Sequence, residues 1–205
     1  MKIVECAQGS TEWFLARCGV LTASEVDALI TPAGKIKAGA AVETYLYEKL
    51  AEKVMGFPEV TAASWAMDQG KILETMALPW LEFDRGVKVR RVGFCVSDDG
   101  RIGCSPDGLI GEDCGVEIKS PQPAQHVRYL LEGVVPEKYV PQIQMSMHVT
   151  GRPHWWFVSY SKDMPCLLVD VPRDPVFQAS LKKALDGFLD EFDQKLAHLR
   201  KLIDL

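Results

Sequence analysis

The chain has 205 residues, 47% hydrophobic and 25% charged, with a net charge of −5. That length and composition suit one globular domain. No apolar run approaches the roughly 20 residues of a membrane span, and the opening residues, Met1-Lys2-Ile3-Val4-Glu5-Cys6, lack the apolar stretch of a signal peptide. The acidic balance excludes a protein that coats nucleic acid over its whole surface but leaves room for a local basic channel. Six cysteines, none in a Cys-x-x-Cys pair, argue against zinc and for reduced thiols in a cytoplasmic protein.

Taken in chain order, Ser10-Thr11-Glu12 starts a helix that continues through Trp13, Phe14 and Arg17 and ends at Cys18-Gly19. Thr22-Ala23-Ser24-Glu25 opens a second short helix, capped by Thr22 or Ser24, with Val26, Leu29 and Ile30 on its apolar side. Residues 8–30 are therefore expected to form a helical hairpin. A loop over 31–39 leads into a helix over 41–55, which Gly56-Phe57-Pro58 breaks, and a further helix is predicted over about 64–83, where Pro79 kinks it or begins a new segment. Three strands follow, over about 87–96, 101–110 and 116–120, then helices over 124–131 and 139–149 and a strand pair over 155–159 and 167–171. From Pro175 the C-terminus reads as one long helix, with Leu181, Leu185, Phe188, Phe192, Leu196 and Leu199 at helical spacing for a core or a subunit contact. There is no internal repeat or low-complexity tract, so the order predicts one α+β domain with a mixed central sheet flanked by helices.

The chemistry concentrates in Ser105-Pro106-Asp107-Gly108 and Gly115-Val116-Glu117-Ile118-Lys119-Ser120. Side chains alternate across a strand, so Glu117 and Lys119 share one face and Ile118 points to the other. With Gly111 to Gly115 as a hairpin turn, the preceding leg folds Asp107 towards Glu117. Two carboxylates held a few ångströms apart repel unless a cation lies between them, and hard oxygen ligands select Mg²⁺ or Mn²⁺. A lysine beside such a metal can orient or help deprotonate an attacking water. On these residues alone, a surface hairpin with an ordinary cross-strand Glu–Lys pair and a Pro-Asp-Gly turn remains the alternative. Arg85, Lys88, Arg90 and Arg91 form a basic cluster that is either part of a channel or a solvated strand edge.

Asp107 followed by Glu117-Ile118-Lys119 resembles the Asp…Glu-x-Lys signature of restriction-endonuclease-like, PD-(D/E)XK, nucleases. Three flanking segments narrow the resemblance. Arg17 and Ser24 stand in Arg-Cys-Gly-Val-Leu-Thr-Ala-Ser, which resembles the Arg-x-Gly-x-x-Thr-Ala-Ser segment of the phage lambda exonuclease and YqaJ-type viral recombinase family. Gly70-Lys71-Ile72-Leu73-Glu74 is similar to its Gly-x-x-x-Glu helix, and Tyr139-Val140-Pro141-Gln142-Ile143-Gln144 to its Tyr-x-x-Gln-x-Gln helix. The motifs fall in the family's order between residues 17 and 144. The family often has a further acid upstream of the aspartate; Asp98 and Asp99 lie near that place but do not align with it, and are left out of the site.

The resemblance implies a restriction-endonuclease-like core over about 86–172, preceded by a helical part over about 1–85 and followed by the C-terminal helix over about 173–205, all in one exonuclease domain. It implies that Asp107 and Glu117 are metal ligands, with the Ile118 carbonyl a further ligand, and that Glu74 completes the acidic cluster near a second Mg²⁺. Lys119 would position or activate the water, Gln142 would orient the water or a phosphate, and Tyr139 would support it. Arg17, Ser24 and Ser105 would bind the 5′-phosphate of the strand being digested. Singly, Ser24 also reads as a helix cap, Arg17 as an exposed helix residue, and Gln142 and Gln144 as surface polar residues. The implied activity is Mg²⁺-dependent 5′→3′ digestion of double-stranded DNA, with Mn²⁺ as a substitute, to leave a 3′ overhang for a single-strand annealing protein. The implied assembly is a homotrimeric ring in a bacterial or phage-encoded setting. The alternatives are an endonuclease or single-strand-specific nuclease of the same fold, or a DNA-binding relative without catalysis.

Overall fold

A computed structural model describes residues 1–57 and 76–203. In chain order the elements are β1 (Lys2–Val4), α1 (Thr11–Arg17), β2 (Leu21–Thr22), a 3₁₀ helix (Ala23–Ala28), α2 (Ala40–Met55), α3 (described over residues 76–85), β3 (Val89–Arg90), β4 (Phe94–Val96), β5 (Ile102–Cys104), β6 (Gly108–Ile110), β7 (Cys114–Lys119), α4 (Pro123–Glu132), a 3₁₀ turn (Glu137–Tyr139), α5 (Val140–Thr150), β8 (His154–Ser159), β9 (Leu167–Pro172) and α6 (Pro175–Leu202).

The strands form two mixed sheets, ordered β1-β4-β5-β2 and β3-β6-β7-β8-β9. The α+β expectation therefore holds, but the long strands predicted over 87–96 and 101–110 do not. Each divides between the sheets: β3 and β6 belong to the second, β4 and β5 to the first. Two crossovers, residues 91–93 and 105–107, carry the chain from one sheet to the other. Their sequences explain the breaks. A Cβ on Gly93 would lie 2.3 Å from the Cys6 carbonyl oxygen, and Pro106 has no N–H to continue a ladder.

In the second sheet β6 and β7 are antiparallel, in register Gly108↔Val116 and Ile110↔Cys114, closed by a turn in which Gly111 takes φ +51°. β7 then runs parallel to β8, with Gly115↔Trp155, Glu117↔Phe157 and Lys119↔Ser159. Gly115 lies inside the strand rather than in the turn, because the Trp155 ring covers it: a Cβ there would meet that ring at 2.3 Å. Val116 and Ile118 face α3, packing with Ala77, Leu78, Leu81 and Val158.

α5 lies between the two sheets, against β4, β5 and the 3₁₀ helix on one side and β8 on the other. Pro141, Ile143, Gln144, Met145, Ser146, Met147 and Val149 are all buried, as expected for a helix enclosed on nearly every side. α6 buries Leu181, Leu185, Phe188, Phe192 and Leu196, so its stripe serves the core, and Asp174 caps its start by accepting from Val176 and Phe177 N–H. Each of those large side chains contributes about 1.5–3 kcal/mol by leaving water.

Near the N-terminus α1 begins as predicted, with Ser10 accepting from Trp13 N–H. The second helix of the expected hairpin is instead a six-residue 3₁₀ helix preceded by β2, which pairs in parallel with β5. Thr22 occupies the cap position without capping the backbone; its hydroxyl is committed to Glu25. Pro79 falls inside α3. The Gly70–Glu74 motif lies outside the described residues, as does the rest of the helix predicted from residue 64. All six cysteines are free thiols, with Cys95 and Cys104 directly across the β4–β5 ladder. Among the described residues no helix is long and apolar enough to cross a membrane.

Candidate active site

The turn that ends the second crossover places Asp107 beside β7. Its N–H donates to the Val116 carbonyl at 3.2 Å, and its Oδ2 accepts from Ile118 N–H at 2.5 Å. The carboxylate is thus clamped at the strand that carries Glu117. Carbonyls alternate along a strand. The Ile118 carbonyl therefore points to the same edge as that of Val116, past the end of β6.

Glu117 is 2% exposed. Its Oε1 accepts from Gln142 Nε2 at 2.6 Å and pairs with Lys119 Nζ at 2.6 Å. Among the described residues its Oε2 is buried without a hydrogen-bond partner. A buried carboxylate oxygen in that state is costly, because it has lost water and gained nothing. An oxygen of this kind, next to a second carboxylate and an outward carbonyl, fits a hard divalent cation. Asp107, Glu117 and the Ile118 carbonyl are the groups present for one. No cluster of three or more His, Cys, Asp or Glu side chains suited to a metal occurs among the described residues, and Glu74 lies outside them.

Lys119 Nζ also lies 5.4 Å from the centre of the Tyr139 ring, which stacks on Phe157 at 5.4 Å and 28°. Lys138 Nζ approaches the same ring at 4.8 Å. Burial raises the Tyr139 pKa above its ordinary value, so its hydroxyl stays protonated. Gln142 faces the carboxylates from the first turn of α5, whereas Gln144 is a core residue that bonds the Pro172 carbonyl and Asp174 N–H.

A second constellation lies one crossover residue away. Arg17, the last residue of α1, donates from Nη1 to Ser105 Oγ at 3.1 Å and from Nη2 to Ser24 Oγ at 3.2 Å and Thr22 Oγ1 at 3.4 Å. Its guanidinium lies 4.3 Å from the centre of the Trp13 ring. Among the described residues, its polar partners are three hydroxyls and no carboxylate. Burial pulls its pKa down, opposed by Glu25, and an arginine so placed stays charged. A half-buried fork of donors with hydroxyls around it suits a phosphate.

The structure thus gathers Arg17, Ser24 and Ser105 at one point and Asp107, Glu117, Lys119, Gln142 and Tyr139 at another. Three participants were not legible as such in the sequence. Trp13 Nε1 donates to Ser105 Oγ at 2.9 Å and to the Gly93 carbonyl at 3.2 Å. Thr22 bonds Arg17. Gln8 Nε2 donates to the Val92 and Pro106 carbonyls at 3.1 and 2.8 Å. Only Trp13 gave a signal, since a buried indole N–H needs an acceptor. In the basic cluster, Arg90 pairs with Glu5 and Arg85 with Asp84, all exposed, as on a solvated edge.

Residues 12–153 match the model of the YqaJ-like viral recombinase domain. The fold is similar to that of an alkaline exonuclease, LHK-Exo, from Laribacter hongkongensis, known in two crystal structures, one in complex with dAMP. The identity is 29% and the TM-score 0.83, over 95% of this chain and 98% of that one. A phage-related exonuclease from Haemophilus somnus 129PT shares the fold at 15% identity and a TM-score of 0.66, over 88% of this chain and 96% of that one. No protein with a curated description matches significantly. The matched domain spans α1 to α5 and contains Arg17, Ser24, Ser105, Asp107, Glu117, Lys119, Tyr139 and Gln142, and the two mixed sheets with flanking helices are those of restriction-endonuclease-like nucleases: the chain belongs to the YqaJ-like viral recombinase family.

Proposed function

We propose that the protein is a Mg²⁺-dependent 5′→3′ exonuclease. It digests one strand of double-stranded DNA from a 5′-phosphorylated end and leaves a 3′ overhang for strand annealing. Family membership and the likeness to LHK-Exo support a nuclease role. The observation that carries the finer reading is spacing: Ser105, in the phosphate-type pocket, and Asp107, in the carboxylate pair, are separated only by Pro106. Two residues span at most about 7 Å. A 5′-phosphate held at Arg17, Ser24 and Ser105 therefore puts the next phosphodiester at the carboxylates, and a mononucleotide leaves. That LHK-Exo has been crystallised with dAMP, a 5′-mononucleotide, agrees with this reading.

Asp107, Glu117 and the Ile118 carbonyl would hold Mg²⁺ or Mn²⁺, with Glu74 as the acid for a second ion. Bound there, the metal supplies Lewis-acid stabilisation of the phosphoryl oxygens and acidifies a bound water. The chain's own residues do the rest. Lys119 and Gln142 converge on Glu117 Oε1 and so stand where they can orient the attacking water, and Lys119 can take or return its proton. Tyr139 fixes the lysine's approach. Arg17 anchors the terminal phosphate, so that binding energy at the end is used to position the bond that breaks.

The proposal includes a homotrimeric ring around the duplex. A chain of net charge −5 has limited electrostatic hold on DNA, less still as salt rises, and enclosure would supply processivity. Light scattering should then give a mass near three times 22.8 kDa. A single-strand annealing protein as partner and a cytoplasmic, bacterial or phage setting belong to the same reading. The deciding experiment compares end-labelled duplexes with 5′-phosphate and 5′-hydroxyl ends, in Mg²⁺ and in EDTA. Faster loss of the phosphorylated strand in Mg²⁺ alone, with the preference erased by Arg17→Ala, is expected. Equal rates on both ends, or cleavage at internal positions of a closed circle, would refute the reading.

A further inference from the structure

Lys49 lies on α2 and is 4% exposed, an unusual place for a lysine unless it is paired. Its Nζ contacts Glu25 Oε2 at 3.2 Å and Glu52 at 2.9 Å to Oε1 and 3.1 Å to Oε2. Glu52 in turn accepts the Gly19 N–H at 2.8 Å, in the loop that leaves Arg17. Glu25 Oε2 also accepts from Thr22 Oγ1 at 2.7 Å and from the Tyr45 hydroxyl at 3.3 Å. Thr22 Oγ1 is the same hydroxyl that receives Arg17 Nη2. A chain of contacts therefore runs from Arg17 through Thr22 and Glu25 to Lys49 and Glu52.

We infer that Lys49 is a positioning residue for the terminal-phosphate pocket: by neutralising Glu25 it keeps that carboxylate from claiming Arg17, and so reserves the arginine for a phosphomonoester. This rests on the reading of Arg17, Ser24 and Ser105 as the phosphate pocket. Glu25 is the carboxylate nearest to Arg17 through a shared hydroxyl. Burial alone would raise its pKa, and Lys49, the Thr22 hydroxyl and Arg17 together hold it below the ordinary value. It is thus an anion one hydroxyl away from where a second anion must bind. With Lys49 present, Arg17 and the three groups behind it are together neutral. Without Lys49 they carry excess negative charge. Glu25 then turns to Arg17, the strongest donor in reach, and repels the incoming phosphate. Among the described residues, the arginine's hydrogen-bond acceptors are all hydroxyls, as a reserved cation should have.

Fluorescence anisotropy with 5′-phosphorylated and 5′-hydroxyl duplexes in EDTA reads the pocket without turnover. The wild type should bind the phosphorylated end more tightly, and Lys49→Met should lose about tenfold of that preference, the size of one charge-assisted contact. Lys49→Arg should keep it. Lys49→Met combined with Glu25→Gln should recover it, since the pair of changes restores the net charge behind Arg17; a lysine needed only for packing would not be rescued by altering a carboxylate. Glu25→Gln alone should bind the phosphorylated end a few-fold more tightly than the wild type, which keeps the idea testable should Lys49→Met not fold. A Lys49→Met protein with the wild-type ratio, a double variant no better than the single one, or a Glu25→Gln protein with unchanged or weaker preference would each overturn the role of Lys49 while leaving the pocket intact. A wild type that binds both ends alike would overturn the pocket and the inference with it.

Discussion

Replacing Glu117 by glutamine separates a metal-binding carboxylate from a merely structural one. Glu117 is 2% exposed, with Oε1 shared by Gln142 and Lys119 and Oε2 unpartnered among the described residues. Glu117→Gln preserves shape and an acceptor at Oε1. It gives up a charge pair with Lys119, whose side chain is 26% exposed, so that its ammonium keeps access to water once the pair is lost. It also replaces the uncompensated charged oxygen by a neutral amide group, whose burial costs less than that of a charge. In EDTA the variant should therefore be about as stable as the wild type, or slightly more so. With metal the order reverses. At a concentration near 100 Kd a bound ion stabilises the wild type by about 2.7 kcal/mol, or about 5–10 °C in Tm at roughly 2–4 °C per kcal/mol for a chain of this size. Thermal unfolding with and without Mg²⁺ should show that rise in the wild type and almost none in Glu117→Gln, with duplex digestion abolished and DNA binding retained. A variant that keeps the full rise, or that loses several kcal/mol already in EDTA, would refute the argument from the unpartnered oxygen.

Lys119→Ala should lower kcat by about 10²–10⁴-fold, the range of a general acid or base, while changing DNA affinity little; normal kcat with weakened binding would contradict its place beside the attacking water. Trp13→Phe keeps the ring under Arg17 but deletes the N–H that holds Ser105 Oγ and the Gly93 carbonyl. It should cost about 1–2 kcal/mol of stability and narrow the preference for 5′-phosphorylated ends several-fold, as read by initial digestion rates. An unchanged preference would make the indole N–H irrelevant to the pocket.

The helices were largely legible because each carries local punctuation: Ser10 before α1, Gly56 and Gly151 in left-handed conformation after α2 and α5, Asp174 before α6. The β6–β7 hairpin was legible through its turn and its alternation. The division into two sheets was not. β4, β5 and β6 are three residues each, and the break between neighbouring sheets is set by what lies across from them: Cys6 against Gly93 and the Pro106 gap. β2 is two residues long and exists only because β5 runs beside it. Motif order already grouped Arg17, Ser24 and Ser105, which the fold brings together in space. The residues behind them escaped notice because their partners are remote in sequence or carry no signature. A lysine on α2 and a glutamate in a 3₁₀ turn look like surface charges until Tyr45, Leu46 and Leu50 bury the helix face around them.

The two crossovers give the least conspicuous residue of the site a measurable role. Residues 91–93 and 105–107 run between the same two sheets, and side chains from the N-terminal segment bridge them twice: Gln8 through the Val92 and Pro106 carbonyls, Trp13 through the Gly93 carbonyl and Ser105 Oγ. The second crossover carries Ser105 to the phosphate pocket and Asp107 to the carboxylates, so the pins on Pro106 set the distance between anchor and reacting bond. Gln8→Ala removes two donors from two carbonyls in a partly buried setting, at about 1 kcal/mol each, and a Tm loss of about 4–8 °C follows. The catalytic loss should be disproportionate. Misplacing reacting groups by about 1 Å can cost on the order of 10²-fold, whereas the pocket and the carboxylates each keep their own contacts. Digestion of 5′-phosphorylated duplex at a temperature where the variant is fully folded should therefore fall at least about tenfold in kcat, with KM and the preference for a 5′-phosphate nearly unchanged. Gln8→Glu, which sets a carboxylate against two carbonyl oxygens, should be worse than alanine. Should Gln8→Ala digest at the wild-type rate while showing the expected loss of Tm, the spacing between the two constellations would be fixed by the sheets alone, and the pin would be no more than a stabilising contact.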